Sequence, residues 1–206
     1  MNNSVAWTLV EVGAVGFSVQ KPITFKSGIL SPVYVDNRIL PFHPASWHVV
    51  IDGFKNLVEQ KPINFDVIAG VAVGGVPHSA ALAYELRVPS VFVRQESKDH
   101  GRGKRVEGGD VNKKRVLLVE DMVTTGASSL DAVWALRAEG AIVEDVCAII
   151  SYEFPEAKAA FQSADVRLHT LTTFDAILLA ADIMGKLTPA DINAVQTWMR
   201  NPRGWK

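Results

Sequence analysis

The stretch that decides the fold is RVLLVEDMVTTGASS, residues 115–129. Its apolar residues 116–119 are typical of a buried β-strand, and they lead directly into two neighbouring acids, Glu120 and Asp121. The small residues 124–129 that follow are typical of a tight turn that opens a helix. Because carboxylates are costly to bury without a partner, this strand end predicts a bound ligand.

The whole chain has the length and composition of one globular domain. It contains 206 residues, of which 48% are hydrophobic, so it can bury a substantial core. Its net charge of −1 offers no general attraction to nucleic acid or to an anionic membrane. No apolar run is long enough for a membrane helix, and we expect no signal peptide. The single cysteine, Cys147, cannot form an internal disulfide, so we expect a cytoplasmic protein.

Strand-like and helix-like segments alternate through the middle of the chain. We expect strands at 65–71, 89–94, 115–121, 141–151 and 165–173, and helices at 77–87, 127–140 and 155–164. This alternation predicts an α/β fold with a mostly parallel twisted sheet flanked by helices. Ligands of such folds bind beyond the carboxyl ends of the strands.

The two flanks of this core are expected to belong to the same single domain, residues 1–206, in which the core covers about 61–173. The flanks, about 1–42 and 174–206, would form a small hood. In the first flank we expect a helix with Val5, Leu9 and Val12 on one face, then an irregular stretch at 20–42. A helix should follow at about 44–59, and two short helices after 174, of which Thr188–Pro189 opens the second.

The turn at 124–128 suits a phosphate group. It offers backbone N–H groups, hydroxyls and the positive end of a helix dipole, although it lacks the lysine of a Walker loop. Glu120 and Asp121 suit the hydroxyls of a sugar, or Mg²⁺ held indirectly, so a ribose 5-phosphate fits this order of groups. The alternative is that the acids form a solvated strand end and that Thr124 is an ordinary N-cap.

Three further stretches could complete such a site. AGVAVGGVPH, 69–78, is a glycine-rich strand end that suits a diphosphate, although glycines also form ordinary turns. RQESKDHGRGKRVEGG, 94–109, reads as a mobile basic lid over a polyphosphate or as a solvated loop. In FKSGILSPVYVDNR, 25–38, Lys26 could meet a carboxylate and Tyr34 could stack on a flat ring. The lid would cover about 95–109.

The four stretches together resemble the type I phosphoribosyltransferases. VLLVEDMVTTGAS is similar to their binding motif for 5-phosphoribosyl 1-diphosphate (PRPP), and FKSGILSP with SKDHG in the lid resembles the orotate phosphoribosyltransferases. The resemblance implies the type I phosphoribosyltransferase fold. It also implies Mg²⁺-dependent transfer of the 5-phosphoribosyl group from PRPP to orotate. The products would be orotidine 5′-monophosphate and diphosphate, in pyrimidine biosynthesis.

The resemblance also implies roles for individual residues. PRPP would be bound by Arg94, Lys98, His100, Glu120, Asp121, Met122, Val123, Thr124, Thr125, Gly126, Ala127 and Ser128. Orotate would be bound by Lys26, Tyr34 and Thr124, and the catalytic residues would be Lys26, Lys98 and Asp121. Mg²⁺ would be held mainly through PRPP and water, with no direct protein ligand. In this family, residues of the lid reach into the site of the neighbouring subunit, which implies a homodimer with shared sites. We expect no nucleic acid or membrane partner.

Three positions depart from the family pattern. Gln95 and Gly74 stand where many relatives have a basic residue, and SYEFPEA, 151–157, lacks an arginine that contacts orotate in some of them. A transferase for another base, which shares the PRPP motif, is therefore the first alternative. A PRPP-sensing regulator would need a basic face or an added DNA-binding motif, and a bifunctional chain would need a second large domain.

Overall fold

The computed structural model of the protein describes residues 4–25, 28–95 and 104–205. The chain divides into two compact units, one formed by Met1–Trp47 with Thr172–Lys206 and the other by His48–Leu171. The strands are β1 (Val15–Phe17), β2 (Ile23–Thr24), β3 (Leu30–Ser31), β4 (Val33–Val35), β5 (Val67–Val71), β6 (Ser90–Val93), β7 (Val106–Glu107), β8 (Arg115–Val123), β9 (Ile142–Ser151) and β10 (Arg167–Thr172). The α-helices are α1 (Ser4–Glu11), α2 (Pro44–Gln60), α3 (Gly75–Leu86), α4 (Ala127–Ala138), α5 (Pro155–Ser163), α6 (Phe174–Ile183) and α7 (Pro189–Arg200).

A six-stranded sheet, in the order β10-β9-β8-β5-β6-β7, forms the centre of the larger unit. β6, β5, β8 and β9 pair in parallel, whereas the short β7 runs antiparallel to β6. The predicted α/β fold is confirmed, as are the five strands and the three helices between them. β7 lies within the stretch 95–109 that is expected to form the lid. The sequence does not predict this strand, because two residues are too few to show a strand pattern.

Helices cover both faces of this sheet. On β5, Val67, Ala69 and Val71 turn toward the apolar core that contains Val133 of α4. Because side chains alternate along a strand, Gly70 faces the other side. A Cβ atom at Gly70 would lie 2.9 Å from the Cα atom of Val76 in α3. α3 and α4 therefore pack on opposite faces of the sheet.

A buried carboxylate attaches the edge strand β10 to β9. The Asp145 side chain, 4% exposed, accepts two hydrogen bonds from Arg167 at 2.7 and 2.8 Å. It also lies 2.7 Å from Nε2 of His169, and Lys61 Nζ lies 3.2 Å from Nδ1 of the same ring. Because the carboxylate is satisfied by both partners, its burial inside an apolar strand is tolerated.

The smaller unit is built from short elements. β1 pairs with β4 and β2 with β3, both antiparallel, and a 3₁₀ helix spans Asn37–Phe42. The prediction of an irregular stretch at 20–42 is therefore wrong. Trp198 of α7 is fully buried, and its Nε1–H donates to the carbonyl oxygen of Leu30 at 2.7 Å. No helix among the described residues is both long and apolar enough to cross a membrane.

Candidate active site

Three strand ends meet at one edge of the central sheet. β6, β5 and β8 are parallel neighbours, so their last residues Val93, Val71 and Val123 lie at the same edge. The helices that follow β5 and β8 leave to opposite faces of the sheet. In open α/β sheets a ligand crevice forms at the carboxyl ends of the strands where the connections part in this way. The motif of residues 115–129 therefore ends at the expected binding edge.

The turn after β8 presents the N-terminus of α4. Gly126 is the N-cap residue and has φ of 83°, a left-handed conformation that favours glycine. No side chain among the described residues caps this helix start, so the first N–H groups of α4 remain available to an anion. A Cβ atom at Gly126 would also lie 2.8 Å from Cε2 of Phe161. Both the backbone conformation and the neighbouring ring therefore require glycine at this position.

The two acids of the motif point to opposite sides of β8. Glu120 is 4% exposed and turns toward α4, where Ser129 Oγ and Ser128 Oγ donate to it at 3.3 and 3.4 Å. Asp121 is half-buried and turns toward the glycine-rich loop. Its carboxylate lies so close to Gly74 that a Cβ atom at that position would overlap it. The pair therefore presents one carboxyl beneath the phosphate turn and one beside the loop after β5.

Burial and a neighbouring charge disfavour the ionised form of Glu120. Burial, followed by the nearby charge of Asp121, raises the pKa of the Glu120 carboxyl well above its usual 4.5. The bonds from the backbone N–H of Asp121 and from Ser129 act in the opposite direction. Because burial is the largest of these influences, ionisation of Glu120 is harder than that of an exposed glutamate.

The glycine-rich loop allows α3 to approach β8 closely. α3 begins at Gly75, and a Cβ atom there would overlap the carbonyl oxygen of Val119. Gly74 has the same restriction against the side chain of Asp121. Any side chain at position 74 would require the Asp121 carboxylate to move. The glycine at position 74 and the position of Asp121 are therefore linked.

A cavity of about 220 Å³ lies between the strand ends and the start of α4. Its charged lining residues are Arg94, Arg105 and Asp131, and Ser128 and Gln95 also line it. Arg94 follows β6 directly, and its guanidinium lies 3.7 Å from the Glu107 carboxylate. The two guanidinium groups are donors that suit a phosphorylated ligand, and each also lies beside a carboxylate, Glu107 for Arg94 and Asp131 for Arg105.

The structure brings together only part of the predicted site. Arg94 and Glu120–Ser128 converge at the sheet edge, whereas Lys26, Lys98 and His100 lie outside the described residues. Tyr34 belongs to the smaller unit, where its hydroxyl donates to Asp36 at 3.1 Å. Among residues 4–25, 28–95 and 104–205 no group of three His, Cys, Asp or Glu side chains could hold a metal ion. The roles of these residues stay predictions.

Arg105 and Asp131 line this region although the sequence does not single them out. Arg105 lies within the stretch 95–109 that is expected to form the lid. Its partner Asp131 is 26 residues away, on the second turn of α4, so no local pattern joins the two. The only available signal is the position of Asp131 three residues after the turn at 124–128.

Comparison with known proteins points to one family. Residues 40–178 match the phosphoribosyl transferase domain. The orotate phosphoribosyltransferase of Coxiella burnetii is 36% identical over 202 residues, which cover 98% of this chain and 97% of that protein. This likeness extends well beyond the motif of residues 115–129.

Solved structures show the same fold. The crystal structure of orotate phosphoribosyltransferase from Aeropyrum pernix is 29% identical, with a TM-score of 0.76, and the match covers 89% of this chain and 99% of that one. The Mycobacterium tuberculosis orotate phosphoribosyltransferase in complex with PRPP is 22% identical, with a TM-score of 0.66, covering 85% of this chain and 99% of that one. At that identity the likeness concerns the fold alone.

Proposed function

The chain belongs to the phosphoribosyl transferase family, and we propose that it is an orotate phosphoribosyltransferase. The reaction would transfer the 5-phosphoribosyl group of PRPP to N1 of orotate and release diphosphate. The observation that carries the proposal is the strand end of β8, where a buried carboxyl, a second carboxylate and an uncapped helix N-terminus follow one another. The near full-length likeness to a named orotate phosphoribosyltransferase supports the choice of base.

The turn at 124–128 would bind the 5-phosphate of PRPP. The N–H groups at the start of α4 and the Ser128 hydroxyl are donors at the positive end of a helix. Asp121, beside Gly74, would accept hydrogen bonds from the ribose hydroxyls and stabilise the positive charge that develops on the ribose. Glu120 would contribute to PRPP binding directly through its carboxyl, and indirectly through Ser128 and Ser129, which donate hydrogen bonds to it. The sugar and its phosphate would thus be fixed on both sides of the reacting carbon.

The diphosphate would be received by the loop after β5 and by Arg94. As the bond from the ribose carbon to diphosphate breaks, negative charge builds on the leaving group, and a nearby cation stabilises it where it develops. Arg94 would supply part of that charge, together with Lys98 and His100. Mg²⁺ bound to the diphosphate would neutralise further charge, and the carboxylate of Asp121 suits a water-mediated contact with it.

Orotate would be bound by Lys26, Tyr34 and Thr124. Orotate is an anion, so a lysine complements its carboxylate and a tyrosine ring can stack on its planar face. Its N1 can attack as the anion, and no strong protein base is needed. A homodimer in which Lys98 and His100 enter the neighbouring subunit's site would complete the arrangement. The cytoplasmic location inferred from the single cysteine stays a prediction.

The choice of base can be tested directly with a spectrophotometric assay. The purified protein is supplied with PRPP and Mg²⁺, and then with orotate, uracil or adenine in separate reactions. We expect consumption of orotate only, with release of diphosphate. If another base reacts while orotate remains, the family stands and the proposed substrate is wrong. An Arg94→Gln variant should show a raised KM for PRPP, since it lacks one of the cations for the diphosphate.

A further inference from the structure

Arg105 connects the end of β6 to helix α4. Its Nε–H donates to the carbonyl oxygen of Arg94 at 2.9 Å, and the Arg94 N–H donates to the carbonyl oxygen of Arg105 at the same distance. The other two nitrogens of its guanidinium donate to the two carboxylate oxygens of Asp131, one of them at 3.0 Å. Arg105 therefore contacts both the residue proposed to meet the diphosphate and the helix proposed to bind the 5-phosphate.

The pair between Arg105 and Asp131 is distinguished by its bidentate geometry. The Arg105 side chain is 22% exposed and that of Asp131 55%, whereas that of the adjacent Lys104 is 63% exposed and lies 3.6 Å from Glu139. Two parallel hydrogen bonds between a guanidinium and a carboxylate fix orientation as well as distance. The hydrogen bonds between the two side chains raise the pKa of Arg105 and lower the pKa of Asp131. Both groups stay ionised through the neutral range.

The attachment of β7 does not depend on Arg105 alone. The Val106 N–H donates to the Glu139 carboxylate at 3.2 Å, and Phe92 and Val93 pair with Glu107 and Val106 in the sheet. Removal of the Arg105 guanidinium should therefore leave this hairpin folded. What it would release is the position of Arg94 relative to the start of α4.

We propose that Arg105, held by Asp131, is a positioning residue for PRPP. It sets the spacing between Arg94 and the N-terminus of α4, the two groups that would hold the two phosphorylated ends of the same molecule. Arg94, Arg105, Ser128 and Asp131 all line the cavity of about 220 Å³ at this place. The inference rests on the proposed function, since it assumes that PRPP occupies this edge of the sheet.

Arg105→Gln tests the inference, with Lys104→Gln as a matched control. Lys104 is the neighbouring basic residue, it pairs with a different carboxylate, and it does not line the cavity. We expect Arg105→Gln to raise the KM for PRPP by about tenfold or more, while the KM for orotate and the urea midpoint stay near the wild-type values. Lys104→Gln should change the KM for PRPP less than about twofold. Equal effects of the two variants would overturn the inference.

Two further variants test the bidentate contact between Arg105 and Asp131. Asp131→Asn should reproduce the effect of Arg105→Gln, and the double variant should be no worse than either single one, because both remove the same contact. Arg105→Lys keeps the positive charge but cannot form two parallel hydrogen bonds to Asp131, so its KM for PRPP should remain raised. Full activity of Arg105→Lys, additive effects in the double variant, or equal rises in both KM values would each contradict a positioning role.

The variant Arg94→Gln keeps the two proposals distinguishable. If Arg94→Gln raises the KM for PRPP and Arg105→Gln does not, the positioning role fails while the proposed function stands. If neither Arg94→Gln nor Arg105→Gln affects PRPP, the assignment of the diphosphate to this sheet edge fails as well.

Discussion

Glu120 and Asp121 are neighbours in the chain, yet the pleat of β8 gives them different surroundings. Glu120 lies under the first turn of α4 with Ser128 and Ser129, and Asp121 lies beside Gly74 at the start of the next loop. The Glu120 carboxyl is therefore desolvated and its pKa is raised, while the Asp121 carboxyl is half-buried. Because like charges repel, the nearby charge of Asp121 adds to burial in disfavouring the ionised form of Glu120.

Glu120→Gln should make the stability of the protein less dependent on pH. The pKa of Glu120 is raised in the folded chain, so above about pH 4.5 the unfolded chain releases this proton first. The wild type therefore loses stability relative to Glu120→Gln as the pH rises, until the pH passes the raised pKa. Urea unfolding at several pH values between about 4.5 and 8 measures this difference.

The exposed Glu59 provides the control for that experiment. Glu59→Gln changes the same functional group on the surface of α2, so its free energy of unfolding should run parallel to that of the wild type across the pH range. If Glu120→Gln also runs parallel to the wild type, the carboxyl is ionised in the folded protein at neutral pH, and the desolvation argument is wrong.

At the scale of elements, the fit of α3 against β8 depends on a missing side chain. An added Cβ atom at Gly75 would overlap the carbonyl oxygen of Val119, and backbone cannot move aside as a side chain can. Gly75→Ala should therefore destabilise the protein by about 1–3 kcal/mol or more. Gly16→Ala is the matched control: nothing in the described part of the chain lies within 4 Å of that Cβ position, so its unfolding midpoint should stay near or above that of the wild type. Equal losses in urea unfolding would show that the contact is unimportant.

The secondary-structure elements differ in how well the sequence predicts them. The long strands and helices could be predicted because they carry local signals: the apolar run of β8, Pro155 at the first turn of α5, and the capping box of Thr188 and Asp191 at α7. β2 and β3 could not, because each has two residues and depends on its pairing partner. The motif predicted the phosphate turn, whereas the burial of Glu120 follows from which face of the sheet α4 covers.

At the scale of the whole molecule, the proposed reaction would need two copies of the chain. The resemblance to the orotate phosphoribosyltransferases implies that Lys98 and His100 serve the neighbouring subunit, and we propose that Asp121 serves its own. Lys98→Ala and Asp121→Asn should each lower kcat by more than about tenfold, or 1.4 kcal/mol, because each removes charge that stabilises the transition state. Circular dichroism and urea unfolding check that both variants remain folded.

Mixing these two variants then tests whether the sites are shared. In a mixed dimer, the Lys98→Ala subunit keeps an intact Asp121 and receives an intact Lys98 from the Asp121→Asn subunit, so one of the two sites is complete. Random exchange makes half of the dimers mixed, so we expect about a quarter of the wild-type activity. Differently tagged subunits and native mass spectrometry establish that exchange has occurred. Confirmed mixed dimers without recovered activity would mean that Lys98 acts in the site of its own subunit.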